Sequence, residues 1–117
     1  MTTKAWEVVL KRLRFFVKER DWGKFHDPKN LAMAIASEAG ELLAELRWVT
    51  SEESLQILSD STRRTKVEHE VADIAIALFL FCDRTGINLK DAVERKIEIN
   101  ERNYPVSEAK GRPERPV

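Results

Sequence analysis

The chain has 117 residues, with twenty basic and twenty acidic side chains for a formal charge of zero, and is 43% hydrophobic. That length suits one domain with a real core, and the balanced charge argues against a nucleic-acid or anionic-membrane surface. The lone cysteine, Cys82, excludes an internal disulfide and sits in an apolar run, which fits a core thiol in a reducing compartment.

Trp6, Val9, Leu10, Leu13, Phe16 and Val17 recur at three- and four-residue steps, with Lys4, Glu7, Lys11, Arg14 and Lys18 opposite, predicting an amphipathic first helix. These charges leave no continuous apolar block of the secretory kind, and the longest apolar run, Ile74 to Cys82, is too short to span a bilayer. A soluble, cytoplasmic protein is expected. "DWGKFHDPKN" breaks the first pattern, and Asp27 followed by Pro28 supplies a capping carboxylate and a proline at the first helical position. The second helix is predicted from Pro28 to Val49. Thr50 and Glu53 are spaced as a capping box for a short connecting helix ended by "LSDS".

A third helix is predicted from Thr62 to Arg84, with Gly86 as its left-handed stop. Asn88 with Asp91 opens a fourth, which Pro105 must end. No alternating strand pattern, nucleotide-binding glycine loop or repeat is present in the sequence. The expected fold is therefore an all-α four-helix bundle over residues 1–105, followed by a polar, flexible tail, 106–117.

The second and third helices each break the rule that carboxylates belong on the solvated face. At about 100° per residue, Glu38, Glu41 and Glu45 share an arc with Leu31, Ala34, Ile35, Leu42 and Val49. The opposite side, with Ala32, Met33, Ala36, Gly40, Leu43 and Ala44, is small or apolar too, so the helix reads as covered all round by other helices or subunits, with little solvent for Glu38 and Glu41. In "EHEVADIAIALFLF", Glu70 and Asp73 share their arc with Ile74, Ala77 and Phe81.

Two acidic pairs at i, i+3 thus lie inside apolar stripes. Burying unpaired carboxylates is costly, and four together repel one another, whereas a divalent cation removes both penalties. An all-oxygen donor set selects a hard ion, Mg²⁺ ahead of Ca²⁺ or Mn²⁺, and Mg²⁺ keeps positions for substrate phosphates. A di-iron bundle would need Glu-x-x-His pairs, but the third residues after Glu38 and Glu70 are Glu41 and Asp73. A single Glu-x-x-Glu on a helix usually marks only a solvated face. Two inside apolar stripes favour the metal.

"DWGKFHDPKNLAMAIASEAGELLAELRW", "EHEVADIAIAL" and "GINLKDAVERKIEINERNYP" together resemble the MazG-like nucleotide pyrophosphohydrolases, the small dCTP pyrophosphatases above all, over about Arg20 to Pro105. The resemblance implies an all-α bundle, assembled as a homotetramer or dimer, that cleaves a nucleoside triphosphate between its α and β phosphates. Its products would be the monophosphate and pyrophosphate, in nucleotide-pool housecleaning. It further implies that Glu38, Glu41, Glu70 and Asp73 ligate Mg²⁺, with Mn²⁺ as a substitute. An acid of this cluster, for which Glu41 is preferred with Glu38 next, would activate the attacking water, and Glu45 would stand behind the ligands.

By the same resemblance Lys96, Asn100 and Tyr104 meet the triphosphate, and Trp22, His26 and Trp48 line the nucleotide pocket. Leu13 and Ala77 stand where some relatives place a histidine and a tyrosine near the base, and Asn103 where many have a basic residue. The competing expectation is a helical interaction module that assembles through apolar faces and has lost catalysis.

Overall fold

The computed structural model describes residues 3–113. All regular structure among them is helical: α1 (Thr3–Glu19), α2 (Pro28–Leu46), α3 (Ser61–Thr85), α4 (Leu89–Asn103) and α5 (Val106–Ala109), with 3₁₀ turns at Gly23–Phe25 and Gln56–Ser59. The chain divides into two compact units at Gly86, a boundary inside the single domain expected over residues 1–105.

The first unit is organised by α2 and α3. Asp27 caps α2, its Oδ1 accepting the Asn30 N–H at 2.8 Å, and Pro28 occupies the first turn, where its missing N–H leaves no hydrogen bond unmade. The helix ends at Leu46, three residues short of the expected Val49. Arg63 Nη2 donates to the Glu45 carbonyl at 2.9 Å, and the Val49 N–H turns back to donate to Leu46 O at 3.1 Å, so these two carbonyls are satisfied without another helical turn.

Of the expected capping box, Thr50 keeps its half: its Oγ1 accepts the Glu53 N–H at 3.3 Å, and turns lead into the 3₁₀ segment. Asp60 starts α3 by accepting the Arg63 N–H at 3.2 Å. Arg63 opposite Glu45, and the acids of mid-α2 opposite those of mid-α3, show that the two helices run antiparallel.

Among the described residues Leu31, Ala77 and Cys82 are the buried apolar ones, and α1 adds to this packing through Trp6, whose ring lies 4.7 Å from that of Phe79. Burial pushes the Cys82 thiol pKa up, as expected of a core cysteine. The back of α2 is open within the chain: Met33 is 60% and Leu43 64% exposed, and a Cβ built on Gly40 between them would meet nothing within 4 Å. The covering expected for that face is not supplied by the described residues.

In the second unit Asn88 caps α4 by accepting the Asp91 N–H at 3.1 Å, and α4 ends at Asn103, before Pro105. Gly86, at φ 74°, supplies the left-handed stop after α3. Part of the segment expected to be a flexible tail is ordered: Pro105, with its fixed φ, starts the single helical turn of α5. Residues 114–117 of that expected tail lie outside the described residues.

Candidate active site

Antiparallel pairing brings the two i, i+3 acidic pairs together. Glu38, Glu41, Glu70 and Asp73 each offer a carboxylate oxygen, and all four oxygens lie within 4.8 Å of one another. Glu38 and Glu70 are half-buried, whereas Glu41 and Asp73 are exposed, which corrects the expectation that Glu41 lacks solvent. The exposure follows from packing, since α2 and α3 cover the inner member of each pair and leave the outer one at the rim.

Glu38 Oε2 and Glu70 Oε2 are shielded from solvent and have no hydrogen-bond partner, and no described ion pair involves any of the four acids. Orphaned carboxylate oxygens of this kind are costly unless something neutralises them. Desolvation, then a hydrogen bond with Glu41, then the repulsion of the neighbouring carboxylates raise the pKa of Glu38 above the ordinary carboxylate range. The same causes in the same order raise that of Glu70, with Glu45 adding to the repulsion. An all-carboxylate cluster with two unpartnered oxygens fits a hard divalent cation and contains no histidine for a redox di-metal centre.

The other expected site residues stand on separate elements, Trp22, His26 and Trp48 in the first unit and Lys96, Asn100 and Tyr104 in the second. His26, half-buried at the turn before α2, lines a cleft of about 410 Å³ with Arg14, Val17, Leu80, Asp83 and Arg84. Trp22 instead packs edge-on against Phe16 at 5.7 Å. Trp48 projects from the turn after α2, 85% exposed, with the Arg47 guanidinium 5.2 Å from its ring centre. Leu13 lies half-buried on α1, and Ala77 is buried in α3. Lys96 and Asn100 lie one turn apart on α4, and the Tyr104 N–H closes that helix on Asn100 O at 2.8 Å.

Sequence reasoning missed the polar pair on the wall of the cleft. Arg14 Nε donates to both oxygens of Asp83 at 3.1 Å, and its Nη2 also donates to Oδ1. Arg14 read as one charge on the solvated face of the first helix, and Asp83 carried no reading at all. With the two 69 positions apart in the sequence, no spacing rule joins them.

Comparison with known proteins gives concordant matches. A MazG-like family model matches residues 33–115. The chain is 36% identical over 96 residues to dCTP pyrophosphatase 1 of Bos taurus, covering 82% of this chain and 57% of that protein. It is 37% identical over 90 residues to the Homo sapiens protein of that name, covering 77% and 53%. The chain thus spans little more than half the length of these curated relatives. The crystal structure of a pyrophosphatase from Archaeoglobus fulgidus superposes with a TM-score of 0.82 at 42% identity, covering 90% of this chain and 96% of that one.

Proposed function

The chain belongs to the MazG-like family, and on that premise we propose that it is a Mg²⁺-dependent nucleoside triphosphate pyrophosphohydrolase. The observation that carries the proposal is the convergence of four carboxylate oxygens within 4.8 Å, two of the residues holding an oxygen that has neither solvent nor partner. Glu38, Glu41, Glu70 and Asp73 would hold Mg²⁺, with Mn²⁺ able to replace it. The chemistry such an ion would supply there is a lowered pKa for the attacking water and an offset to charge on the phosphate oxygens.

Water adds across the anhydride between the α and β phosphates, releasing a nucleoside monophosphate and pyrophosphate. Glu41, at the exposed rim, accepts the water's proton, with half-buried Glu38 as the next candidate base. Lys96 and Asn100 present an ammonium and an amide from one face of α4 to the triphosphate, with Tyr104 as a third contact. Trp22, His26 and Trp48 serve the nucleoside end. The dCTP pyrophosphatase relatives make dCTP, or a modified cytosine nucleotide, the first substrate to try, in cytoplasmic housecleaning of the nucleotide pool.

The enzyme acts as a homo-oligomer, a tetramer before a dimer. Exposed Met33 and Leu43 on the back of α2 support assembly, since a helix apolar all round is stable in water only when covered.

A panel of triphosphates with Mg²⁺, scored for products, tests the reading. Monophosphate with pyrophosphate is expected from the wild type and no turnover from Glu38→Gln or Asp73→Asn. Diphosphate with inorganic phosphate would refute the cleavage position. Absence of both turnover and heat on titration with Mg²⁺ would leave the non-catalytic interaction module.

A further inference from the structure

We propose that Arg63 and Lys66 hold the β and γ phosphates, the half of the substrate that ends as pyrophosphate, and so set the preference for triphosphates over diphosphates. The inference deepens the pyrophosphohydrolase reading and rests on it, because it needs a nucleotide polyphosphate at the acids.

Each row of acids on α3 is prolonged by a cation. Arg63 precedes Glu70 by seven residues and Lys66 precedes Asp73 by seven. Each cation therefore stands about 20° from its acid around the helix and about 10 Å nearer the start of α3. Burial keeps the rows distinct: Arg63 and Glu70 are half-buried, whereas Lys66 and Asp73 are exposed at the rim. Neither cation has a carboxylate partner among the described ion pairs. Lys66 is one turn from Glu70, but lysine first is the weaker order for an i, i+4 pair. Arg63 commits one Nη2 hydrogen to the Glu45 carbonyl, which fixes the guanidinium and leaves Nε, Nη1 and the second Nη2 hydrogen as donors.

The site needs that charge. Four carboxylates and one Mg²⁺ still leave the acids net negative, so they draw the metal but repel the phosphates beyond it. Arg63 and Lys66 offset that repulsion, the guanidinium as a fork that fits two phosphate oxygens and the ammonium as a point charge.

The ends of the helices give the direction. Because α2 and α3 run antiparallel, the turn carrying His26 lies beside Leu80, seven residues past Asp73, whereas Arg63 lies at the opposite end of the acids beside Glu45. With the nucleoside at the His26 end and the anhydride at the acids, the β and γ phosphates run towards Arg63 and Lys66. Trp48 stands at the Arg63 end but projects into solvent, 85% exposed with its ring beside Arg47, and so does not fix the direction.

The test uses the triphosphate that the wild type turns over best and the diphosphate of the same nucleoside, at saturating Mg²⁺, with pyrophosphate and the monophosphate as product inhibitors. The wild type should favour the triphosphate in kcat/KM by about tenfold or more, as one charged contact gives. Lys66→Gln and Arg63→Gln should each narrow that ratio by about threefold or more and raise the inhibition constant of pyrophosphate by about tenfold, with that of the monophosphate unmoved. Comparing two substrates of one enzyme cancels a change in metal affinity, and a merely structural role for either residue would shift both inhibition constants together. Equal wild-type kcat/KM on the two substrates overturns the proposal without reference to any variant, which keeps it decidable should Arg63→Gln unfold. An unchanged ratio in either folded variant overturns it as well. Hydrolysis of the triphosphate in those cases leaves the pyrophosphohydrolase reading standing, whereas failure to hydrolyse any triphosphate overturns both.

Discussion

Glu38 and Glu70 are held at odds with their surroundings, and the strain can be measured. Their raised pKa values mean that folding disfavours their charged forms. In the metal-free protein, the folded state carries no penalty from them below the ordinary carboxylate range, and an increasing one as pH rises through that range towards the raised values. Metal-free wild type should therefore lose melting temperature relative to Glu38→Gln as pH rises from about 4 towards neutrality. Parallel melting curves for the two proteins across that range would contradict the account. Mg²⁺ at neutral pH should raise the melting temperature of the wild type and leave that of Glu38→Gln nearly unmoved, as thermal denaturation at several ion concentrations can show. All four acids were legible from sequence because i, i+3 spacing inside an apolar stripe is a local signal. Arg14 with Asp83 was not, because only the packing of α1 against α3 makes them neighbours.

The ends of the helices were more legible than the turns between them. Asp27, Asn88 and Gly86 each act through backbone within a few residues, so their chemistry can be read directly, and the structure shows all three in those roles. The end of α2 was misread because it depends on Arg63, eighteen residues beyond Glu45, taking a carbonyl that sequence leaves unassigned. Two predictions follow at this scale. Asn88→Ala should cost about 1 kcal/mol of stability by chemical denaturation, as removal of an N-cap usually does. Arg63→Ala leaves the Glu45 carbonyl without its donor next to the acidic pair, so it should weaken Mg²⁺ binding seen by calorimetry, by up to about tenfold, as loss of a supporting contact behind a metal ligand does. Unaltered Mg²⁺ affinity in Arg63→Ala would show that the end of α2 does not position the acids.

At the scale of the whole molecule, the all-helical class was readable from periodicity alone, whereas the division at Gly86 and the helical turn after Pro105 were not. The division depends on how segments far apart in sequence share their packing, to which a local pattern is blind, whereas the turn that Pro105 starts is local and was hidden by the polar composition around it. The proposed assembly makes one further prediction here. Leu43→Glu, placed on the open back of α2, should shift the protein to a smaller species in size-exclusion chromatography with light scattering. An unchanged mass would move the interface elsewhere.

Gly40 sharpens the same point. Mid-helix glycine is roughly 1 kcal/mol worse than alanine, and nothing among the described residues obliges the helix to tolerate it. A missing methyl is useful where a neighbouring backbone must come nearer than a side chain permits. Adding that methyl should then split two properties that usually move together: the isolated subunit becomes hardier, while the subunits part at higher concentrations than before.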